Sequence, residues 1–211
     1  MLKLEARVLH EREIFGVLDD VSRRAKRSLQ SRQNLIIFRL SCCCGLRASE
    51  ISSLLLRDVN VDSCPPSIEV CRTYVRDGKV TRRGRLVSLE IDDRTRKDIV
   101  AWRLLRYKQT GRDRFAPLIC GFHSANLGKP LSIRTLAKRW KSAIRCLGRE
   151  RVRQLSISSG RHSCILQLLR RGGSLAAVQR FAGHASVKQT EAYLRLLPDS
   201  RLHPNRSVFQ L

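Results

Sequence analysis

A histidine and a tyrosine lie close together near the C-terminal end of the sequence. Residues 182–195 read AGHASVKQTEAYLR, so Tyr193 follows His184 by nine residues in a chain with only three tyrosines. A tyrosine either packs as an aromatic side chain or uses its hydroxyl as a nucleophile, and a nucleophile needs activating groups around it. The rest of the chain must therefore supply those groups if Tyr193 is reactive.

Three basic residues could assist a tyrosine that attacks a DNA phosphodiester. Guanidinium groups offer planar forks of donors to the non-bridging oxygens, and a lysine or histidine can protonate the leaving oxygen. Arg47 lies in the stretch GLRASE and Arg161 lies in SISSGRH, each at the predicted start of a helix. Lys79 follows the turn pair Asp77-Gly78. Such a set needs no metal, because the cations themselves supply the charge.

Structural explanations compete with these chemical roles, although local helix stability does not supply one for Arg47. A basic residue at a helix N-terminus gains nothing from the helix dipole, so local stability does not explain Arg47. Glu50, three residues on, is placed to hold that guanidinium across one helical turn. Nevertheless, Arg47 is compatible with a surface arginine, Lys79 with a solvated turn residue, and His184 with a structural histidine at a helix junction.

The charge of the chain indicates the class of its partner. Lys and Arg number 42 against 18 Asp and Glu, which gives a net charge of +24 and a pI near 11.1. Such a field concentrates polyanions, so nucleic acid is the first expected partner. A solvated basic surface, a ribosome-bound protein and attraction to anionic lipid are the alternatives.

Other bulk features predict a cytoplasmic protein without membrane association. No stretch approaches the roughly 18 apolar residues of a membrane span, and the start MLKLEARVLHERE is too charged for a signal peptide. The eight cysteines contain no C-x-x-C pair and no histidine spacing suited to zinc. They are interpreted as reduced, mostly buried thiols.

Hydrophobic periodicity predicts a mainly α fold with one small antiparallel β-sheet. Helices are expected over residues 10–21, 34–43, 49–56, 92–107, 133–147, 160–171, 174–181 and 186–194. Strands are expected over residues 67–75 and 85–89, with Asp77-Gly78 as a hairpin signal between them. The prolines and glycines within residues 116–130 predict a loop with a short strand.

Taken in order, these motifs resemble the catalytic domain of the tyrosine recombinases, the phage integrase family. CCCGLRASEISSLLLRDV is similar to the family's first arginine box. LQLLRRGGSLAAVQRFAGHASVKQTEAYLR is similar to its second box and nucleophile region. The resemblance extends from about residue 10 to residue 195 and implies the tyrosine recombinase catalytic-domain fold. GLRxSE and GHxSxxxTxxYL are moderate signals individually, and their order makes the combination strong.

The resemblance implies a role for each matching residue. Arg47 and Arg161 would clamp the scissile phosphate, His184 would hydrogen-bond it, and Glu50 would support the pocket. Tyr193 would be the nucleophile and form a 3′-phosphotyrosyl bond. The same chemistry implies no cofactor, because the covalent link conserves the phosphodiester energy and strand exchange needs neither ATP nor a metal.

The resemblance also implies a general acid and shows one departure. Lys79 would protonate the 5′ leaving oxygen, with neighbouring arginines as competitors for that role. Family members usually carry a histidine three residues before the second arginine, where this chain has Ser158. A serine can donate one hydrogen bond to the phosphate but cannot shuttle a proton near neutral pH. His162 lies where the family often has a second histidine, and its ring is expected to point elsewhere on the helix.

Two parts of the chain are expected to differ in structure. Residues 1–195 should form the catalytic domain, with no separate N-terminal core-binding domain of the kind that usually closes over the other face of the DNA. Residues 196–211 should form a C-terminal tail, whose apolar Val208, Phe209 and Leu211 lie beyond two prolines. Two possibilities are open: the tail docks on a neighbouring protomer, or it packs on its own domain or is disordered.

The sequence is therefore interpreted as a site-specific DNA recombinase or integrase that cleaves and rejoins duplex DNA. The partner would be double-stranded DNA, on which the resemblance implies a homo-oligomer, either a dimer or a tetramer. Ser158 and the missing clamp domain favour one alternative, a catalytically impaired DNA-binding remnant of a mobile element. The set of two arginines, a histidine and a tyrosine favours the enzyme.

Overall fold

The computed structural model describes residues 4–72, 75–76, 79–80 and 85–197. The helices of these residues are α1 Glu11–Ala25, α2 Leu29–Cys42, α3 Ala48–Ser53, α4 Asp93–Thr110, α5 Ile133–Ala143, α6 Arg149–Gln154, α7 Ile157–Arg170, α8 Leu175–Ala182 and α9 Val187–Leu194. The strands are β1 Val59–Asn60, β2 Ser67–Arg72, β3 Val75–Arg76, β4 Lys79–Val80 and β5 Arg85–Glu90. The predicted mainly α fold with a small antiparallel sheet is confirmed.

The centre of the fold is α2, whose residues are buried from Gln33 to Cys42. This helix packs against α1, α4, α5 and α7, so it is covered on all sides. Its polar side chains therefore need internal partners. Gln33 Nε2 donates to the carbonyl of Cys120 at 2.7 Å, and the indole N–H of Trp140 donates to Ser41 Oγ at 2.8 Å. These bonds fix the register of α2 against the loop at Cys120 and against α5.

A three-stranded antiparallel sheet lies beside the helices in the order β1-β2-β5. The pairing of β2 with β5 is continuous from Ser67↔Glu90 to Arg72↔Arg85. Of the strand predicted over residues 67–75, the structure describes β2 up to Arg72, and Val75 belongs to β3, which pairs with β4 in a two-stranded ladder. The expected hairpin turn at Asp77-Gly78 lies outside the described residues.

Two apolar clusters divide the core. The larger one joins α1, α2, α5 and the sheet. The smaller one joins the N-terminal residue Val8 to the inner faces of α7, α8 and α9. Its members are Val8, Ile165, Leu166, Leu169, Val178, Ala182 and Tyr193. Tyr193 is therefore held by a cluster of its own, on the far side of α7 from the main core.

The sequence predicted the helices in their correct order but misplaced several starts. Ser28 caps α2 by accepting from the N–H of Ser31, so that helix begins five residues before the predicted residue 34. Ser156 and Ser159 form a capping box at the start of α7, so Ser158 belongs to this helix. The short helix α6 was not predicted, because its six residues are all at least partly exposed and show no apolar periodicity.

The C-terminal tail is only partly described. Leu196 and Leu197 follow α9 and pack on the Tyr193 cluster of their own domain. Residues 198–211 lie outside the described residues, so the predicted docking of the tail on a second protomer stays a prediction.

A glycine at the contact between α2 and α7 gives a test of this packing. A Cβ on Gly160 would lie 2.7 Å from Ser41 Oγ and 3.2 Å from the Ser41 carbonyl carbon. Ser41 cannot rotate freely, because its hydroxyl donates to the carbonyl of Phe38 and accepts from Trp140. Gly160→Ala should therefore lower the free energy of unfolding by about 1–3 kcal/mol, measured by urea denaturation.

The matched control is Gly16 in α1, where an added Cβ would meet nothing within 4 Å. Gly16→Ala should raise the stability by about 0.5–1 kcal/mol, because alanine loses less backbone entropy in a helix. Equal effects of the two substitutions would contradict the close approach of α7 to α2.

Candidate functional site

Arg47 is positioned by a glycine turn and by the first turn of α3. Gly45 adopts φ +64°, and a Cβ there would lie 3.0 Å from Phe181 Cε1, so both the turn and the contact require glycine. The backbone N–H of Arg47 donates to Glu50 Oε2 at 2.8 Å. The Nη1 of Arg47 donates to Glu50 Oε1, also at 2.8 Å. Glu50 therefore holds Arg47 by both its backbone and its guanidinium.

A second arginine, which was not among the predicted site residues, binds the same carboxylate. Arg72 ends β2, and its Nε donates to Glu50 Oε1 at 3.1 Å. The side chain is fully buried, and its Nη2 has no hydrogen-bond partner among the described residues. Ile68, Val70 and Arg72 alternate along one buried face of the strand, so the period of two was the signal that could have placed this arginine inside.

Three arginines meet at the C-terminal end of α8, where the carbonyls of residues 181–183 lie. Arg72 donates to the first of these carbonyls, Arg161 to the second, and Arg47 to the second and third. Arg161 Nη1 also donates to the carbonyl of Gly45 at 2.5 Å, which connects α7 to the turn before α3. The last carbonyls of a helix lack partners within the helix and carry the negative end of its dipole, so they attract guanidinium groups.

The pocket contains three guanidinium groups and one carboxylate. Burial tends to raise the pKa of Glu50, but Arg72, the backbone N–H of Arg47 and both other guanidiniums outweigh it and lower this pKa. Burial, and then the nearby Arg47 and Arg72, lower the pKa of Arg161 to about 10. Arg161 is therefore still charged at neutral pH. The excess of positive charge of the three arginines favours a bound anion, and each guanidinium has more N–H groups than it has acceptors among the described residues.

Tyr193 lies on α9 with its ring in the smaller apolar cluster, where it is 4% exposed. The His184 ring lies almost parallel to the tyrosine ring, with 6.2 Å between ring centroids and 14° between planes. Burial raises the pKa of Tyr193, and the charge of Arg161 offsets part of that rise. The hydroxyl is therefore protonated at neutral pH, and its reaction requires a proton acceptor.

The expectation that the His162 ring points away from the site was wrong. His162 follows Arg161 on α7 and lies on the side of that helix that packs against α9. Its Nδ1 is 2.5 Å from the hydroxyl oxygen of Tyr193. Burial, and then the charges of Arg161 and Arg7, lower the pKa of His162 to about 4. The imidazole is therefore neutral at neutral pH.

His184 is oriented by a threonine that belongs to the GHxSxxxTxxYL motif but was not predicted as a site residue. The Nδ1 of His184 lies 2.9 Å from Oγ1 of Thr190, which is fully buried one helical turn before Tyr193. This contact leaves Nε2 as the ring nitrogen for a ligand. Burial, and then Arg161 and Arg47, lower the pKa of His184 to about 4, so this imidazole is also neutral.

Ser158 and Lys79 are the two other predicted site residues. Ser158 is exposed in the first turn of α7, three residues before Arg161 and on the same side of the helix. The backbone of Lys79 lies in β4 and pairs with Arg76, and its side chain lies outside the described part of the structure. The structure therefore brings together Arg47, Glu50, Arg161, His184 and Tyr193 among the predicted site residues, and it adds Arg72, His162 and Thr190.

An open groove of about 520 Å³ reaches this cluster at His184, between β5 and α8. In the described ranges, no group of three or more His, Cys, Asp or Glu side chains is arranged to hold a metal ion. None of the helices in the same ranges has the length and apolar composition needed to cross a bilayer.

Comparisons with known proteins agree with this geometry. The sequence model of the phage integrase family matches residues 8–199, which is most of the chain. A search of curated proteins found no match.

Solved structures of recombinases and integrases share the fold. The XerA recombinase superposes with a TM-score of 0.68 at 22% identity, over 92% of this chain and 62% of that one. The XerH site-specific recombinase bound to its palindromic difH substrate superposes with a TM-score of 0.68 at 20% identity, over 90% of this chain and 50% of that one. The Tn1549 transposon integrase in complex with transposon right end DNA superposes with a TM-score of 0.64 at 14% identity, over 89% of this chain and 61% of that one. This chain therefore spans from half to just under two thirds of the length of these proteins.

The low pKa of His162 predicts how stability depends on pH. A histidine with a pKa of about 4 in the folded protein and 6.5 in the unfolded chain stabilises the fold above pH 6.5. That contribution is lost as the pH falls from 6.5 to about 4, because the unfolded chain then binds the proton more tightly. His162→Asn should therefore destabilise the protein by about 2–3 kcal/mol less at about pH 4.5 than at about pH 7.5.

Urea denaturation at the two pH values measures this difference. His123→Asn, at an exposed loop position, is the control and should leave the pH dependence of stability unchanged. The same pH dependence in wild type and His162→Asn would show that His162 is not held neutral by its surroundings.

Proposed function

Because the chain belongs to the phage integrase family of tyrosine recombinases, we propose that it cleaves and rejoins duplex DNA at specific sites through a 3′-phosphotyrosyl intermediate. One observation carries the proposal: three guanidinium groups and His184 converge beside the buried Tyr193. A pocket with excess positive charge next to a protonated nucleophile suits attack on a phosphodiester, because the transition state gathers negative charge on the phosphate oxygens.

The arginines bind the scissile phosphate in this proposal. Arg47 and Arg161 donate to its non-bridging oxygens with the N–H groups that their carbonyl and carboxylate partners leave free. Arg72 adds the positive charge of its buried guanidinium, and Glu50 keeps Arg47 and Arg72 side by side. His184 adds a hydrogen bond from Nε2, since its Nδ1 is occupied by Thr190.

Tyr193 attacks the phosphorus, and the P–O5′ bond breaks. The 3′ phosphate becomes linked to the tyrosine oxygen, and the 5′ oxygen leaves as a hydroxyl after it receives a proton. Lys79, the first residue of β4, is the proposed donor, because a positioned lysine is a usual source of the proton for a leaving oxygen. Ser158, at the exposed start of α7, would donate one hydrogen bond to the phosphate. Rejoining is the reverse reaction and conserves the phosphodiester energy.

Double-stranded DNA is the proposed substrate and partner. The net charge of +24 supports binding to a polyanion, and the XerH and Tn1549 integrase structures are complexes with DNA. We propose that the chain works on DNA as a homo-oligomer, with residues 1–195 as the catalytic domain and residues 196–211 as a tail that can dock on a neighbouring protomer.

A covalent adduct is the direct test of this function. The probe is a pool of random-sequence duplexes, nicked so that the strand fragment beyond the cleaved phosphate diffuses away and religation cannot occur. Wild-type protein should form an adduct that survives denaturing gel electrophoresis and forms equally in EDTA, because the cations of the pocket are side chains. Mass spectrometry of the digested adduct should place the nucleotide on Tyr193, and sequencing of the captured DNA gives the target site.

The matched variants are Tyr193→Phe and Tyr107→Phe. Tyr193→Phe should form no adduct and still bind DNA, because one hydroxyl adds little to the electrostatic attraction. Tyr107, half-buried on α4, serves as the control, and Tyr107→Phe should react as wild type does. DNA binding by the wild type without any adduct would replace the proposal by the alternative of a non-catalytic DNA-binding remnant.

A further inference from the structure

The hydroxyl of Tyr193 has one hydrogen-bond partner among the described residues, and that partner is His162. The hydroxyl oxygen lies 2.5 Å from Nδ1, with 5.9 Å between the two ring centroids. A phenol that is protonated at neutral pH must donate its proton to an acceptor when it is buried. Since Nδ1 is the acceptor within reach, the His162 ring carries its own proton on Nε2.

The surroundings of His162 preserve this acceptor. Burial lowers its pKa to about 4, and the charges of Arg161 and Arg7 add to the effect. Both arginines favour the neutral imidazole, so Nδ1 keeps its lone pair throughout the neutral and mildly acidic range. A bound phosphate would bring negative charge close to Arg161, so the basicity of His162 should rise when DNA occupies the pocket.

The other groups near the hydroxyl are poorly placed to accept its proton. His184 stacks on the face of the tyrosine ring, with its Nδ1 occupied by Thr190. Arg161 is a cation at neutral pH and has no lone pair to offer. His162 alone among these residues combines contact with the reacting oxygen and a free basic nitrogen.

We propose that His162 is a catalytic residue that accepts the proton of Tyr193 as the tyrosine attacks the phosphate. The inference rests on the proposed function and assigns the base that this function requires. As the bond from the tyrosine oxygen to phosphorus forms and the P–O5′ bond breaks, the phenolic proton moves to Nδ1 and the ring becomes an imidazolium. A separate acid protonates the 5′ oxygen. In rejoining, the imidazolium returns the proton to the tyrosine oxygen, so the protein ends unchanged.

Two substitutions separate proton transfer from positioning. His162→Asn places an amide oxygen near the position of Nδ1, so it can still accept the hydrogen bond but cannot hold the proton. His162→Ala removes both. The rate of adduct formation in single turnover, on a nicked duplex recovered with the wild type, should fall by about 100-fold or more in both variants near neutral pH. His123→Asn, with an exposed loop histidine, should react at the wild-type rate.

The pH–rate profile gives a readout that a purely structural histidine would not change. The charged and titratable groups facing His162 are Arg161 on its own helix, Arg7 in the N-terminal turn, Tyr193 on α9 and His184 at the end of α8. With His162 neutral, the wild-type rate should change little between about pH 6 and pH 8.5. Without a base only the ionised phenol attacks, so the variant rates should rise roughly tenfold per pH unit.

The outcomes distinguish this inference from the proposed function. Slow His162→Asn adduct formation with a steep pH dependence, unchanged DNA affinity and cooperative unfolding would support proton transfer to His162. A His162→Asn rate within about tenfold of the wild type, or a pH profile parallel to the wild type, would overturn it while the recombinase function stood. Failure of the wild type itself to form any adduct would instead reject the proposed function.

Discussion

The structure depends on one set of hydrogen bonds, in which three guanidinium groups bind the C-terminal end of α8 and Glu50. The three consecutive carbonyls of residues 181–183 accept hydrogen bonds from arginines on β2, on α7 and at the start of α3. One carboxylate oxygen binds two of these arginines at 2.8 and 3.1 Å. Helix ends and carboxylates are the groups that can hold buried guanidinium groups together, because they supply acceptors and negative potential without filling every donor. Elements that are distant in sequence are thereby fixed around one point.

The same interaction costs stability and prepares the site. Three cations beside one carboxylate repel one another, and the pKa of Arg161 falls to about 10 because of burial and of Arg47 and Arg72. The fully buried Nη2 of Arg72 has no partner in the described part of the chain. A buried donor without an acceptor is destabilising by about 1–3 kcal/mol, so the burial of Arg72 is one of the costs of assembling this pocket. Burial, and then the charge of Arg161, lowers the pKa of both His162 and His184, so the two rings are neutral and can donate to or accept from a substrate.

Much of this arrangement was predictable from sequence, and the exceptions have physical causes. Arg47 and Tyr193 were found because each lies in a motif of fixed spacing, Arg47 at the start of α3 and Tyr193 nine residues after His184. Arg72 was missed because its strand motif is short and a buried arginine is explained only by partners from α3 and α8, which no local pattern reveals. The orientation of His162 was misjudged because it depends on how α7 packs against α9. Helix order followed from apolar periodicity, whereas helix starts depended on serine caps whose hydrogen bonds are not visible in a hydrophobic pattern.

Anion binding to the folded protein tests the central claim, that the three arginines form one pocket with unsatisfied positive charge. The measurement is thermal unfolding of the full chain in inorganic phosphate against chloride at equal ionic strength. Phosphate at tenfold its Kd should stabilise the wild type by about 1.4 kcal/mol, a rise in Tm of roughly 3–5 °C. Arg72→Met should lose most of this rise, whereas Arg57→Met, at a half-exposed position outside the pocket, should retain it. Equal phosphate shifts in Arg72→Met and wild type would contradict the account.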